Sequence, residues 1–226
     1  TAENLSRSIG EVNAKRRALQ RLNATRKASP APISGKDALL IIQIAFYDDV
    51  SRFTEKVNAL CDELDERVAK GAGIAPADAK KILISGSPMA IPNWKLHQLI
   101  EESGAVVVGE ESCTGTRYFN YLTPASDGSL DGQLAAIADR QLETNCACFT
   151  PNDERLDDIV TLAGGWDADG VVHYDLQFCH TFANEAVKVE KRLASEGIPL
   201  LRIETDYSDE DVGQLRTRID AFLEML

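Results

Sequence analysis

The chain has 226 residues, 44% hydrophobic, 6% aromatic and 27% charged, which suits one large globular domain or one domain with an appendage. No apolar run approaches the roughly 18–20 residues of a membrane span, and the polar, basic start lacks a signal peptide's apolar core, so a cytoplasmic protein is expected. The net charge is −12, yet residues 1–36 carry eight Lys/Arg against two Asp/Glu, so the body is strongly acidic and poorly matched to nucleic-acid phosphates.

The first helix is predicted before residue 27, where Leu5, Ile9, Val12, Leu19 and Leu22 recur at helical spacing. Its basic face reads as a solvated surface packed on an acidic neighbour. "KASPAPISGKD" (27–37) is a linker, and a second helical region is expected over 38–69, apolar first and amphipathic later. "KGAGIAPADAK" (70–80) ends it. Beyond that the rhythm changes. Short apolar runs at 81–84, 105–109, 168–174 and 199–206 alternate with helical patterns near 94–103, 130–143, 152–162, 183–196 and 209–226. This is the pattern of an α/β domain with a doubly wound parallel sheet, Rossmann-like or flavodoxin-like, over 81–226. Residues 1–80 form a helical connecting region before it. Ligands of such sheets bind at the carboxyl ends of the strands.

Four of the five cysteines fall in the segments expected at that end. Cys113 follows the second strand in "EESCTGTRYF", Cys146 and Cys148 lie in "NCACFTPNDER", and Cys179 follows a strand in "DLQFCHTF". Cys61 shares an apolar helical stripe with Val57, Leu60 and Leu64 and is read as a buried small hydrophobe. An odd, sparse set of cysteines fits a reducing compartment rather than a disulfide framework. Each thiol alone reads as a small buried side chain in a tight loop. Four together point to a soft metal, whether zinc, copper(I) or an iron–sulfur cluster. The spacing lacks the CxxC pairs of zinc ribbons and the CxxCxxC run of ferredoxins. On a strand, Cys146 and Cys148 would face opposite ways; at a strand-to-loop transition both can turn to one point.

Other polar residues have plainer readings. His180, beside Cys179, is a candidate proton or hydrogen-bond donor, or a helix cap. His97 and His173 read as structural, and Arg117 as a residue that pins the cysteine loop. "SGSP" (85–88) is a turn without a nucleotide-binding pattern. "NDER" (152–155) reads as an N-cap with acidic first-turn residues, and "TDYSDEDVGQ" (205–214) as a similar run before the last helix.

The stretches "GEESCTGTRYF", "CACFTPNDERLDDIV", "DGVVHYDLQFCHTFANE" and "GIPLLRIETDYSDEDVGQLRTRIDAFLEML" resemble the C-terminal half of subunits in the 2-hydroxyacyl-CoA dehydratase and benzoyl-CoA reductase family. "NAKRRALQRLNATR" and "SGKDAL" match the family's connecting region, so the likeness covers nearly the whole chain. It implies that Cys179, in the "QFC" motif, binds an ordinary 4Fe–4S cluster. The additional Cys113, Cys146 and Cys148 are similar to those of double-cubane cluster proteins, which implies an 8Fe–9S cofactor.

It also implies an ATP-hydrolysing iron–sulfur activase as electron donor, and a homodimer or a heterodimer with a related subunit; neither nucleic acid nor membrane is an expected partner. The family's N-terminal domain has no counterpart here, so a fragment or one piece of a divided protein is expected. The main reading is an iron–sulfur reductase component of double-cubane type. The alternative is a 2-hydroxyacyl-CoA dehydratase subunit, in which an electron given to the thioester carbonyl makes a ketyl radical that loses the α-hydroxyl and a β-proton. An interaction domain stabilised by zinc on four cysteines is the third.

Overall fold

A computed structural model describes residues 1–226. Its first layer is helical: α1 (Ala2–Thr25), α2 (Gly35–Ile44) and α3 (Val50–Ala69). The helical region expected over 38–69 is therefore two helices, broken at 45–49. Asp49 supplies the reason: its side chain accepts the Arg52 backbone N–H at 3.0 Å and caps a new helix. Leu19 and Leu22 of α1 pack with Ile42, Phe53, Val57, Cys61 and Leu64 into one apolar cluster. The basic face of α1 does meet an acidic neighbour. Arg21 reaches Asp62 and Asp65 of α3 at 2.7 and 2.5 Å.

The α/β part follows as β1 (Lys81–Gly86), α4 (Lys95–Glu102), β2 (Val106–Glu111), α5 (Thr116–Phe119), α6 (Leu130–Leu142), α7 (Asp153–Gly165), β3 (Gly170–Leu176), α8 (His180–Ser195), β4 (Leu200–Thr205) and α9 (Val212–Met225). The four strands are all parallel, in the order β2-β1-β3-β4. Alternation along them feeds two cores. Ile82, Ile84, Val107, Val172, Tyr174 and Ile203 face α4 and α9; Leu83, Val106, Val108 and Val171 face α7 and α8. Each such side chain contributes about 1.5–3 kcal/mol on burial, so strands buried on both faces read as continuous apolar runs.

From β1 the chain first moves outward to β2, and β3 then enters on the other side of β1. The switch point of the sheet therefore lies between β1 and β3, where loops leaving the two carboxyl ends diverge to opposite faces and open a crevice. At the end of β1, Gly86 adopts φ +125°. A Cβ there would stand 2.1 Å from the Tyr174 carbonyl oxygen, so only glycine allows the two strand ends to close up.

Candidate functional site

Cys113, Cys146, Cys148 and Cys179 all sit at the carboxyl end of the sheet, and each is at least partly exposed, while Cys61 is buried between helices. Cys113 lies in the turn from β2 to α5. Gly115 makes that turn possible, because a Cβ there would fall 2.1 Å from the Glu110 carbonyl oxygen. Cys146 and Cys148 lie on a turn, not a strand: the Cys146 carbonyl accepts the Phe149 N–H at 2.9 Å. The turn brings both thiols to one side. Contact with Cys146 pushes the Cys148 thiol above its ordinary pKa, and Cys113 and Cys179 add to that from farther away. Cys113 touches solvent but rests on packed protein. That desolvation raises its thiol pKa, against the pull of the Arg117 charge. The four sequence-predicted thiols thus share one electrostatic neighbourhood. No three His, Cys, Asp or Glu donors are grouped tightly enough to grip a single ion by themselves.

Cys179 is the N-cap of α8, where its side chain makes no capping bond to the helix. Its Sγ lies 3.7 Å from the Thr181 Oγ1. The preceding Phe178 is exposed with φ +69°, a left-handed conformation that a bulky residue rarely adopts and that marks a strained turn at the crevice. His180 is exposed and is the first residue inside α8, one position past the N-cap, so it is not the helix cap. His97 is buried with its Nε2 at 2.9 Å from a Glu110 carboxylate oxygen. His173 is buried on β3, 3.3 Å from Asp175. Both are structural placements, as expected.

Beneath the thiols lies a set of buried charges that sequence patterning did not assemble. Arg155 of α7, fully buried, pairs with Glu111 of β2 at 2.9 Å and with Glu185 of α8. Arg117 pins the Cys113 turn, donating to the Gly86 carbonyl at 2.8 Å and pairing with Glu111 at 2.9 Å. Asn152 is not the expected side-chain cap: it makes no capping bond to α7. Its Nδ2 instead donates to the Cys146 carbonyl at 2.9 Å and to Glu185 at 2.8 Å. The missed signal was a charge on an apolar stripe. Arg155 precedes Ile159 and Leu162 at helical spacing, and Glu185 lies between Phe182 and Val189.

Soft donors converging at a switch point fit an iron–sulfur cluster or another thiophilic metal. They fit chemically, as four thiols on three different loops whose backbones are held by buried polar contacts.

A family model described as 2-hydroxyglutaryl-CoA dehydratase, D-component, matches residues 1–226. Over 97% of this chain and 56% of its own length, the Escherichia coli protein named "Putative dehydratase subunit YjiM" is 36% identical. The (R)-phenyllactyl-CoA dehydratase beta subunit of Clostridium sporogenes is 26% identical over 100% of this chain and 58% of its own. For the (R)-2-hydroxyglutaryl-CoA dehydratase subunit beta of Acidaminococcus fermentans the identity is 24%, over 82% and 48%. The chain thus spans about half the length of these relatives. With its sequence matched from end to end and its fold and thiols arranged as above, it belongs to the 2-hydroxyglutaryl-CoA dehydratase D-component family, among the 2-hydroxyacyl-CoA dehydratases.

Proposed function

We propose that this chain is the cysteine-bearing α/β part of a 2-hydroxyacyl-CoA dehydratase subunit, a lyase component that eliminates water from a 2-hydroxyacyl thioester. The observation that carries this reading is the convergence of four thiols on the carboxyl end of the sheet in a chain that matches the family throughout. Two of the relatives are named beta subunits, which supports assembly with a companion subunit. An ATP-hydrolysing activase as electron donor, and a cytoplasmic setting, belong to the same reading.

The cofactor in this proposal is an iron–sulfur cluster that, when bound, supplies low-potential single electrons. Cys179 is its principal ligand on this chain, presented from the uncapped start of α8. Cys113 and one or both of Cys146 and Cys148 supply the further thiolates that a double cubane needs. Arg117 fixes the Cys113 turn to the end of β1. His180, exposed beside Cys179, is placed to carry a proton at its ring nitrogen to or from a bound acyl group. A second reading, a reductase component with a double-cubane cluster, is favoured by one observation: Cys113 and the Cys146–Cys148 pair stand with Cys179 rather than elsewhere.

Anaerobic reconstitution, with iron and acid-labile sulfide analysis and EPR, tests both. About four irons per chain supports the dehydratase-type cluster and about eight the double cubane. Cys179→Ala should lower iron most in either case. Cys113→Ala should lower it toward half only for the double cubane. A wild-type protein that takes up zinc and no iron refutes the proposal.

A further inference from the structure

One continuous chain of buried polar contacts runs beneath the thiols and ends on each loop or helix that carries one. It starts at the Cys146 carbonyl and passes through Asn152 to Glu185 on α8. Glu185 pairs with Arg155, which reaches Glu111 at 2.9 Å and the Ser85 hydroxyl at 3.2 Å. Glu111 pairs with Arg117 beside the Cys113 turn, and Arg117 donates to Gly86 at the end of β1. The Phe182 ring, in the first turn of the helix that follows Cys179, lies 5.2 Å from the Arg117 guanidinium and 5.1 Å from that of Arg155.

Two arginines face two glutamates here, so the chain of contacts is balanced in formal charge. Burying four ions is costly, and apolar side chains of the same volume commonly stabilise a core at least as well. What apolar packing lacks is the directional grip of forked hydrogen bonds on particular carbonyls and carboxylates. Three loops far apart in sequence need that grip if their thiols are to share one site.

We propose that Asn152, Glu185, Arg155, Glu111 and Arg117 are the positioning framework of the thiol site. They hold Cys113 at a fixed separation from Cys146 and Cys148 before any cofactor binds. Asn152 is the tie to the Cys146 loop and Arg155 the hub. The role assigned to the thiols rests on the cluster-binding reading above; the framework itself is a property of the metal-free chain.

The test treats reduced, metal-free protein with dibromobimane, which fluoresces when it bridges two thiols, and quantifies the bridged peptides by mass spectrometry. Asn152→Ala is expected to lower bridging of Cys113 to Cys146 or Cys148 about fivefold, the population shift that one buried hydrogen bond commands. The Cys146–Cys148 product, set by its own turn, stays unchanged, a separation that general destabilisation does not produce. Glu185→Gln, equal in volume, is expected to act alike, and Asn152→Ser replaces either variant that fails to fold by circular dichroism. Unchanged Cys113 bridging in folded variants overturns the proposal, as does a wild-type protein in which Cys113 bridges neither partner. Iron uptake by the wild type is measured in parallel. Responsive bridging without iron removes the cluster reading and keeps the framework, and iron uptake with unresponsive bridging does the reverse.

Discussion

Glu110→Gln removes the charge that ties the helical layer to the sheet. Glu110 is buried at the carboxyl end of β2 and accepts two bonds of 2.7 Å from the Arg26 guanidinium, which also donates to the Val107 carbonyl at 2.8 Å. Burial alone pushes its carboxyl pKa up; the Arg26 charge and hydrogen bonds, with His97 beside them, more than reverse that and hold it at about 2. A folded-state value below the ordinary 4.5 means a contribution that is complete above 4.5 and is lost as pH falls through about 2. Linkage puts that contribution at about 3 kcal/mol. Removing one partner of a buried pair costs about 3–5 kcal/mol, which agrees, because Arg26 would be left buried and uncompensated. Urea unfolding followed by far-UV circular dichroism, at neutral pH and at intervals into the acid range, measures both effects. The variant should lose about 3 kcal/mol at neutral pH and show a flatter acid limb. A loss below about 1 kcal/mol, or an acid limb as steep as the parent's, would refute the assignment.

Gly86→Ala should cost about 3 kcal/mol or more, since the Cβ meets the Tyr174 carbonyl at 2.1 Å in a backbone conformation at φ +125°; a melting temperature equal to the parent's would count against it. Val172→Asp should abolish soluble protein, because it puts a charge in the sheet core, whereas Cys113→Ser should leave the yield intact. Equal losses from the two would mean that the thiol loops carry the fold. In the native protein Cys61 should stay silent to a thiol-titrating reagent, since burial, opposed by Arg21, pushes its pKa up to about 11. Cys61 labelling as fast as Cys148 would show that α3 does not shield it.

The sheet was legible because β1, β2 and β3 are buried on both faces, so their apolar runs stand out against polar loops, and the half-buried β4 still carries an apolar start. Observed strands at 81–86, 106–111, 170–176 and 200–205 lie close to the expected ones. The placement of Cys113 and Cys179 was legible because parallel strands send the loops that follow β2 and β3 to one end, whereas Cys146 and Cys148 follow α6 and no strand. Local exceptions were less visible. The break after α2 depends on a single capping aspartate inside an otherwise helical pattern, and α5 is only four residues long. The "NDER" segment misled because Asn and Asp at a helix start usually serve the helix. Here Asn152 turns its amide away from α7 toward Cys146 and Glu185. The Arg155 network was hidden for a deeper reason. Its partners come from β1, β2, α7 and α8, and no one-dimensional period links charges on four elements.

A sheet with every strand pointing the same way gives the molecule a handle and a working end. Residues 103–105 and 196–199 make return turns at the far, amino end. Gly104 and Gly197 sit there at positive φ, with no atom within 4 Å of where a Cβ would stand. The seven residues of β3 separate the two ends by roughly 20 Å. A peptide graft or a surface tether at Gly197 therefore leaves the thiols facing outward, and their labelling from bulk solution can be followed on an oriented monolayer.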